Sequence, residues 1–271
     1  MITITKQERT ARNGSQNKPR VIVNGDDLGL SSQVNDAIFR LMESGRLSSA
    51  TILANSSCFE DAVRRAKLFP QCSFGVHLCI TEGVPLTSSP HLTPLLGEDG
   101  RFSGVETVHG CILTPRIRSA IIAEWNCQVD RVLDSGIPIS HLDSHHHTHS
   151  LKRLFFAVKS VQRRYHIHKL RGGSKAWRKD RHNMPLVIQI RVFLSSMLVR
   201  HCGYRTKTPD LCLSPEEFAS VVVRHELHLK WRYEVIAHPG NRVFPEEMQF
   251  LQGPEWEHVL RSITLINYNE L

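Results

Sequence analysis

Histidines crowd one short stretch of this chain, residues 137–149, which holds five of the sixteen histidines and a single aspartate. If the stretch is extended, the two-residue period of a strand places His141, Asp143 and His145 on one face, behind an apolar lead-in. Neutral imidazole is a common ligand of divalent metals, and a neighbouring carboxylate commonly orients such a ring. A helix would also pair His141 with His145, and clustered histidines can be solvated surface groups. A glycine just before the stretch and a proline at its start favour the strand, and with it a metal site.

Titratable side chains also follow three other apolar runs of the sequence. Residues 21–23 form a β-branched run that suits a buried parallel strand, and Asp26 and Asp27 come soon after it. His77 and His238 stand at the ends of two further runs. In parallel α/β folds the active site is assembled at the carboxyl ends of the strands. We therefore expect these side chains to meet the histidine stretch at one edge of a sheet.

Together these groups form a pattern that suits metal-assisted hydrolysis. An ion held by one carboxylate and two imidazoles keeps positions open for water and substrate, lowers the pKa of bound water and polarises a carbonyl. A second carboxylate can take the proton of the water, and a histidine opposite can protonate a leaving amine. Taken alone, Asp26 or Asp27 could be a helix cap, His77 a core histidine and His238 a turn residue. Their joint occurrence favours the site.

The elements that must position these groups alternate between strand and helix along the chain, which predicts an α/β fold. With 271 residues, 41% of them hydrophobic, the chain can bury one sizeable core. We expect a single domain over residues 20–271, behind a mostly disordered polar lead over residues 1–19. The connection over residues 82–113 is rich in proline and glycine, and its length is typical of a functional loop.

Cysteine usage and hydropathy indicate the cellular compartment of the protein. Seven cysteines are scattered without a CxxC pair, and no signal-peptide pattern precedes them. Both features predict a reduced, cytoplasmic protein. No uncharged apolar run approaches the roughly 18 residues that a membrane span requires. The sequence therefore predicts a soluble protein or one in peripheral contact with a membrane.

The net charge of +8 is concentrated in residues 152–207, where fifteen Lys or Arg side chains accompany one acid. Such a block could meet phosphate, anionic lipid or nucleic acid. Within it, residues 184–200 are apolar with two polar breaks, and a basic flank beside an apolar helix suits an anionic bilayer. One interpretation is peripheral contact with the inner membrane face or with a phosphate-bearing glycan. The alternative is that the apolar residues pack on the fold and the cations form a solvated outer face.

Four motifs, in this order and at this spacing, resemble those of the YdjC-like carbohydrate deacetylases, relatives of chitooligosaccharide deacetylase. They are Asn-Gly-Asp-Asp-Leu-Gly at residues 24–29, Gly-Val-His-Leu at 75–78, His-Leu-Asp-Ser-His-His-His at 141–147 and His-Pro-Gly at 238–240. The resemblance extends from about residue 21 to residue 271 and includes Thr-Glu-Gly at 81–83. Gly25 and Leu28 stand where the family more often has Ala and Phe, and residues 172–208 match no motif of it. The identity of the sugar is therefore left open.

The resemblance implies a distorted (β/α) barrel of the polysaccharide-deacetylase-like type. It implies an enzyme that removes the acetyl group from the amino nitrogen of an N-acetylated sugar or oligosaccharide. The implied cofactor is a divalent ion, usually Mg²⁺, with Zn²⁺ as the alternative. By position, the family's ligands fall on Asp27, His77 and His145, its base on Asp26 and its acid on His238.

Two other functions compete with this one. A metal phosphoesterase would use a similar set of Asp and His and could hold phosphate on the basic stretch, but it would normally need further ligands or a second metal. A nucleic-acid-binding protein would explain the charge. However, the aromatic content of 7% offers few stacking platforms, and neither an RNA-binding signature nor zinc-finger spacing is present. The sequence favours the deacetylase, with no nucleic acid as partner, and leaves a homo-oligomer open.

Overall fold

A computed structural model of the chain describes residues 18–172 and 197–271, and in this part seven parallel strands form one sheet. The strands are β1 (Arg20–Leu28), β2 (Ser49–Ile52), β3 (Ser73–Leu78), β4 (Ile139–Ser144), β5 (Leu211–Leu213), β6 (Arg232–Ala237) and β7 (Thr264–Ile266). Their order across the sheet is β4, β3, β2, β1, β6, β5, and β7 pairs with the first residues of β1. The strands around β1 are buried on both faces, as parallel sheets require.

Helices surround the sheet, which is curled into an incomplete barrel. They are α1 (Ser32–Glu43), α2 (Phe59–Ala66), α3 (Val105–Gly110), α4 (Pro115–Asp134), α5 (Phe155–Arg164), α6 (Pro215–Val223), α7 (Glu247–Gln252) and α8 (Pro254–Ser262). Between β4 and β5, single parallel bridges join Leu142 to Leu170 and Lys169 to Lys207, so this side closes only loosely. The distorted (β/α) barrel that the sequence predicts is confirmed.

Helix starts follow the side-chain signals of the sequence. The Ser31 hydroxyl accepts a hydrogen bond of 3.2 Å from the Val34 N–H at the start of α1. Thr114 caps α4 in the same way. Ser214 and Glu217 form the predicted capping box of α6. The caps at Ser31 and Ser214 fix the loops that follow β1 and β5, and Leu30 and Ser214 of these loops line the cavity described below.

The first strand is longer than the run at residues 21–23 predicts. β1 continues to Leu28, so Asp26 and Asp27 lie within its end and not after it. The pairing of β1 with β2 shifts register between Gly25 and Leu28, and Asp27 has a left-handed backbone with φ of 67°. The two carboxylates therefore leave the strand at an irregularity, which is typical of strands next to active sites.

The histidine stretch is a strand that ends one residue earlier than predicted. β4 stops at Ser144, and a 3₁₀ segment follows over His145–Ser150 with left-handed backbone at two residues. His141 is buried and stacks on the Tyr268 ring, with centroids 3.4 Å apart. His141, the first histidine on the predicted strand face, is therefore part of the core.

Several predictions concern the remaining segments of the chain. The connection over residues 82–113 contains more regular structure than predicted, namely a 3₁₀ helix (Pro90–Leu95) and α3. Most of the predicted lead at residues 1–19 and of the apolar run at residues 184–200 lies outside the described residues. Within the described ranges, none of the helices has both the length and the apolar character needed to cross a membrane.

Cations of the basic segment are largely engaged within the protein where the structure describes them. The Lys159 ammonium is 1% exposed and donates to the Val199 carbonyl and the Thr206 hydroxyl. Other side chains donate to main-chain carbonyls: Arg153, Arg163, Lys169 and Lys207. Internal hydrogen bonds therefore use part of the charge that the sequence assigned to solvent or to a membrane.

Gly75 on β3 gives a test of the packing beneath the site. A Cβ at this position would lie 2.6–2.8 Å from atoms of the His141 ring, whereas a Cβ on Gly110 would meet nothing within 4 Å. We expect Gly75→Ala to lower the free energy of unfolding by roughly 1–3 kcal/mol, the usual cost of overpacking a core. Gly110→Ala is the control and should change it by less than about 0.5 kcal/mol. Equal urea midpoints for the two variants would contradict this packing.

Candidate active site

A cavity of about 680 Å³ opens where the strands end. Its wall contains all five residues that the sequence singles out: Asp26, Asp27, His77, His145 and His238. The further lining carboxylates are Glu82, Glu217 and Glu247. Among the described residues, neither Lys nor Arg lines this cavity. The site is therefore rich in carboxylate and imidazole, which are the groups that bind cations and transfer protons.

Asp27, His77 and His145 converge on one point of the cavity floor. The Asp27 Oδ1 atom lies 2.9 Å from Nδ1 of His145 and 3.4 Å from Nε2 of His77, and all three residues are buried. This oxygen has no well-aligned hydrogen-bond donor in the described structure. A buried oxygen without a donor, facing two ring nitrogens, is the arrangement that a cation would satisfy. One carboxylate and two imidazoles are also a common donor set for divalent ions, so these residues fit a metal.

His77 is held from behind by a buried carboxylate. Its Nδ1 lies 2.7 Å from Oδ1 of Asp143 and 3.2 Å from the Thr51 hydroxyl, which itself donates to Asp143. A proton on Nδ1 leaves the lone pair of Nε2 directed at Asp27. Asp143 thus orients the histidine of the neighbouring strand β3, whereas the alternation along β4 suggested an orienting role within its own strand.

His145 and Asp27 are held by side chains from two loops. Nε2 of His145 lies 3.0 Å from the Glu82 carboxylate, and the Asn241 amide donates to Asp27 Oδ2 at 2.9 Å. Burial would lower the pKa of His145, but the adjacent carboxylates of Asp27 and Glu82 raise it to about 10. An imidazole must give up a proton before it can bind an ion through that nitrogen, so an ion at this position would bind more strongly as the pH rises.

A single buried guanidinium organises the other carboxylates. Both Nη atoms of Arg171 donate to the two oxygens of Asp26 at 2.7 and 2.6 Å. Nη1 also lies 2.8 Å from Asp143, and Nε donates to Glu234 at 2.9 Å. Burial would raise the pKa of Asp26, but Arg171 and then His77 lower it below its ordinary value of 3.8. A second group that could geometrically hold an ion, Asp26 with His77 and Asp143, is therefore already neutralised by a fixed cation.

Asp26 and His238 lie next to each other in the wall of the cavity. Oδ2 of Asp26 lies 3.9 Å from Nε2 of His238 and 4.0 Å from Nε2 of His77. Asp26 is buried, and the Asn24 amide donates to its Oδ1 at 2.8 Å. A fixed carboxylate and an imidazole that border the same cavity can both exchange protons with a bound group.

His238 is supported by Glu247 at the start of α7. The main-chain N–H of His238 donates to one oxygen of the Glu247 carboxylate at 2.5 Å, and the ring Nδ1 of His238 lies 3.5 Å from the other oxygen. The Phe244 ring stacks on the imidazole with centroids 4.4 Å apart. Burial would lower the pKa of His238, but Glu247 and then Asp26 raise it above its ordinary value of 6.5. The ring is therefore suited to hold a proton on Nε2 toward the cavity.

Of the groups that support the site, the sequence analysis singled out Asp143 as an orienting carboxylate and missed the others. Glu82 and Asn241 lie in or beside quoted motifs, and polar residues at those turns were the available signal. Arg171 lies 145 residues from Asp26, and nothing local distinguishes it from its basic neighbours. The supporting residues are Thr51, Glu82, Asp143, Arg171, Glu234, Asn241 and Glu247.

Comparison with known proteins identifies relatives of this chain. The family model described as YdjC-like protein matches residues 20–262. A carbohydrate deacetylase of Geobacillus stearothermophilus is 36% identical over 146 residues, which cover 54% of this chain and 57% of that protein. A carbohydrate deacetylase of Vibrio campbellii is 35% identical over 154 residues, which cover 57% of this chain and 59% of that protein. The matched region thus spans little more than half the length of these curated relatives.

A solved structure shares the fold. A protein of Enterococcus faecalis V583, named there as a candidate cellobiose-phosphate cleavage protein, superposes with a TM-score of 0.76 at 22% identity. The superposition covers 93% of this chain and 98% of that one. At this identity the likeness concerns the architecture alone, and it supports the barrel described above.

Removal of the Arg171 guanidinium should destabilise the folded protein, because the buried carboxylates lose their cation. We expect Arg171→Met to lower the free energy of unfolding by roughly 3–5 kcal/mol at neutral pH, because Asp26 and Asp143 lose their buried partner. The depressed pKa of Asp26 contributes stability above its ordinary pKa of 3.8, so the deficit should shrink as the pH falls below that value. Arg261→Met, which breaks an exposed 2.6 Å pair with Glu257, is the control and should cost less than about 1 kcal/mol. Similar losses in both variants would contradict the buried network.

Proposed function

This chain belongs to the YdjC-like family, and on that premise we propose that it is a metal-dependent hydrolase that removes the acetyl group from an N-acetylated sugar or oligosaccharide. The observation that carries the proposal is the convergence of a cation-binding trio, a fixed carboxylate and a supported histidine on one cavity. The naming of the relatives as carbohydrate deacetylases supports it further. Metal-assisted amide hydrolysis uses these three components together.

We propose Asp27, His77 and His145 as the residues that hold the divalent ion. When bound, the ion would supply a Lewis acid that polarises the acetyl carbonyl and acidifies water. The family resemblance points to Mg²⁺, and a donor set with two imidazoles also suits Zn²⁺. Elemental analysis of the purified protein separates the two.

Asp26 is the proposed general base and His238 the proposed general acid. Asp26 is ionised at neutral pH because of Arg171, and Arg171 and Asn24 hold its carboxylate in place, so Oδ2 can accept a proton without reorientation. His238 keeps a proton on Nε2 with the support of Glu247 and can pass it to the amine nitrogen as that group leaves.

The charge of the cavity favours a neutral substrate over a phosphate ester. Carboxylates line the wall, and Lys and Arg are absent from it among the described residues. A phosphate group would meet repulsion from these carboxylates, whereas an uncharged acetamide and sugar hydroxyls would find acceptors and donors. This supports the deacetylase over the phosphoesterase.

Location and partners form part of the same proposal. All seven cysteines are free thiols, which suits a reduced cytoplasmic protein. Contact of the basic segment with an anionic membrane face remains a proposal, and it would rest on residues beyond the cations already engaged internally. The oligomeric state is left to direct measurement.

Acetate release is the direct test of this function. Metal-replete protein should release acetate from a panel of N-acetyl sugars that includes chitobiose-type substrates, and a chelator should abolish the release. The same protein should leave a phosphodiester intact. Phosphodiester hydrolysis without acetate release would replace the proposed function with the phosphoesterase.

Two variants separate ion binding from proton transfer. His145→Ala should lose both the ion and turnover, because one of three ligands is removed. Asp26→Asn should keep the ion and lose roughly 100-fold to 10,000-fold in turnover, the usual scale for a general base. Elemental analysis and steady-state rates check both. Full ion content in His145→Ala would remove this residue from the ligand set, and unchanged turnover in Asp26→Asn would move the base elsewhere.

The role of His238 predicts a shift in the pH profile. An acid must be protonated to act, so kcat/KM should fall as the pH rises through the pKa of His238, which lies above 6.5. In Glu247→Gln that pKa falls, because the supporting charge is lost, and the alkaline limb should move to lower pH. Glu217→Gln, which alters another cavity carboxylate, is the control and should leave the limb in place. An unmoved limb in Glu247→Gln would assign the acid to another group.

A further inference from the structure

Glu82 stands at the junction of two cavities. A side cavity of about 270 Å³ lies next to the main one, and both are lined by Leu30 and Glu82. The Glu82 carbonyl accepts hydrogen bonds from the Asn55 amide at 2.8 Å and from the Cys79 thiol at 3.3 Å. Gly83 has φ of 80°, and a Cβ there would lie 2.9 Å from Asn55, so only glycine fits this turn. The main chain that carries the Glu82 side chain is thus fixed.

The carboxylate of Glu82 meets the far side of His145. Its Oε2 lies 3.0 Å from Nε2, while Nδ1 of the same ring lies 2.9 Å from Asp27 Oδ1. A neutral imidazole has one N–H donor and one acceptor nitrogen, so a proton given to Glu82 from Nε2 leaves the lone pair of Nδ1 for an ion. The ring then presents a single ligand atom in a single orientation.

We propose that Glu82 is a positioning residue that selects Nδ1 of His145 as the metal ligand. The inference rests on the metal centre of the proposed function. It adds that the two histidines of that centre present different ring nitrogens to the ion. Asp143 holds Nδ1 of His77, so that ring presents Nε2. Glu82 holds Nε2 of His145, so this ring presents Nδ1. Two carboxylates, one from β4 and one from a loop, thus fix opposite tautomers.

The two supports differ in exposure, and this makes Glu82 the better one to test. The Asp143 side chain is fully buried beside Arg171, so its removal would disturb the fold. The Glu82 side chain is 51% exposed, and substitutions there should leave the folded state intact. Glu257 offers a matched control, since its side chain is 50% exposed and its carboxylate is also paired, with Arg261.

The test measures ion affinity without substrate, with Zn²⁺ alone as the probe in competition with a chelating dye. Glu82→Ala should weaken Zn²⁺ binding roughly 10-fold to 100-fold, the usual effect of removing a residue that orients a ligand. Glu82→Gln should retain most of the affinity, because its amide oxygen can still accept the Nε2 proton. Glu257→Gln should bind as the wild type does. Thermal unfolding of the metal-free variants checks that each is folded.

Nitrogen NMR of histidine in the Zn²⁺-loaded protein supplies the second readout, with the ring signals of His145 assigned by through-bond correlation to its main chain. The wild type should show a protonated Nε2 and a metal-bound Nδ1 on His145. Wild-type affinity in Glu82→Ala, equal losses in Glu82→Ala and Glu82→Gln, or a protonated Nδ1 would each overturn the proposal. Absence of acetate release with normal Zn²⁺ binding would instead count against the proposed function alone, so the two failures are distinguishable.

Discussion

The burial of several carboxylates at the ends of parallel strands is the constraint on which this structure depends. Asp26, Asp143 and Glu234 are each at most 2% exposed, and isolated buried charges of this kind cost several kcal/mol each. The planar guanidinium of Arg171 forms ion pairs with all three carboxylates. Arg171 enters the barrel from the loosely closed side between β4 and β5. The shape of the group matters here, because a lysine could not hold Asp26 at both oxygens.

This arrangement divides neighbouring residues into different roles. Asp26 and Asp27 are adjacent, and in a regular strand their side chains would point to opposite faces. The register shift near the end of β1 and the left-handed backbone of Asp27 bring both into one cavity. There Asp26 is paired with Arg171, while Oδ1 of Asp27 faces two imidazoles and lacks a well-aligned donor. The proposed base and the proposed ligand therefore differ through their partners and not through their chemistry.

Sequence reasoning reached the strand ends because local signals mark them. An apolar run followed by Asp or His identifies Asp27, His77 and His238 without any long-range information. The residues that support these side chains could not be predicted in this way, because Arg171 and Glu82 meet their partners only when the sheet closes. The partners of the basic segment could not be predicted either, because its cations donate to main-chain carbonyls that only the tertiary fold brings near. The pattern of the sequence thus predicted which side chains gather in the cavity, while the hydrogen bonds that hold them depend on the tertiary fold.

The position of the ion tests the account most directly, because two groups of side chains in the described part of the chain are close enough to hold one. Crystals soaked in Mn²⁺ and measured near the manganese absorption edge would locate it by anomalous scattering. The account predicts one peak bonded to Asp27, His77 and His145 at roughly 2.0–2.3 Å, with Arg171 still paired to Asp26. A peak between Asp26 and Asp143, with the guanidinium displaced, would contradict it.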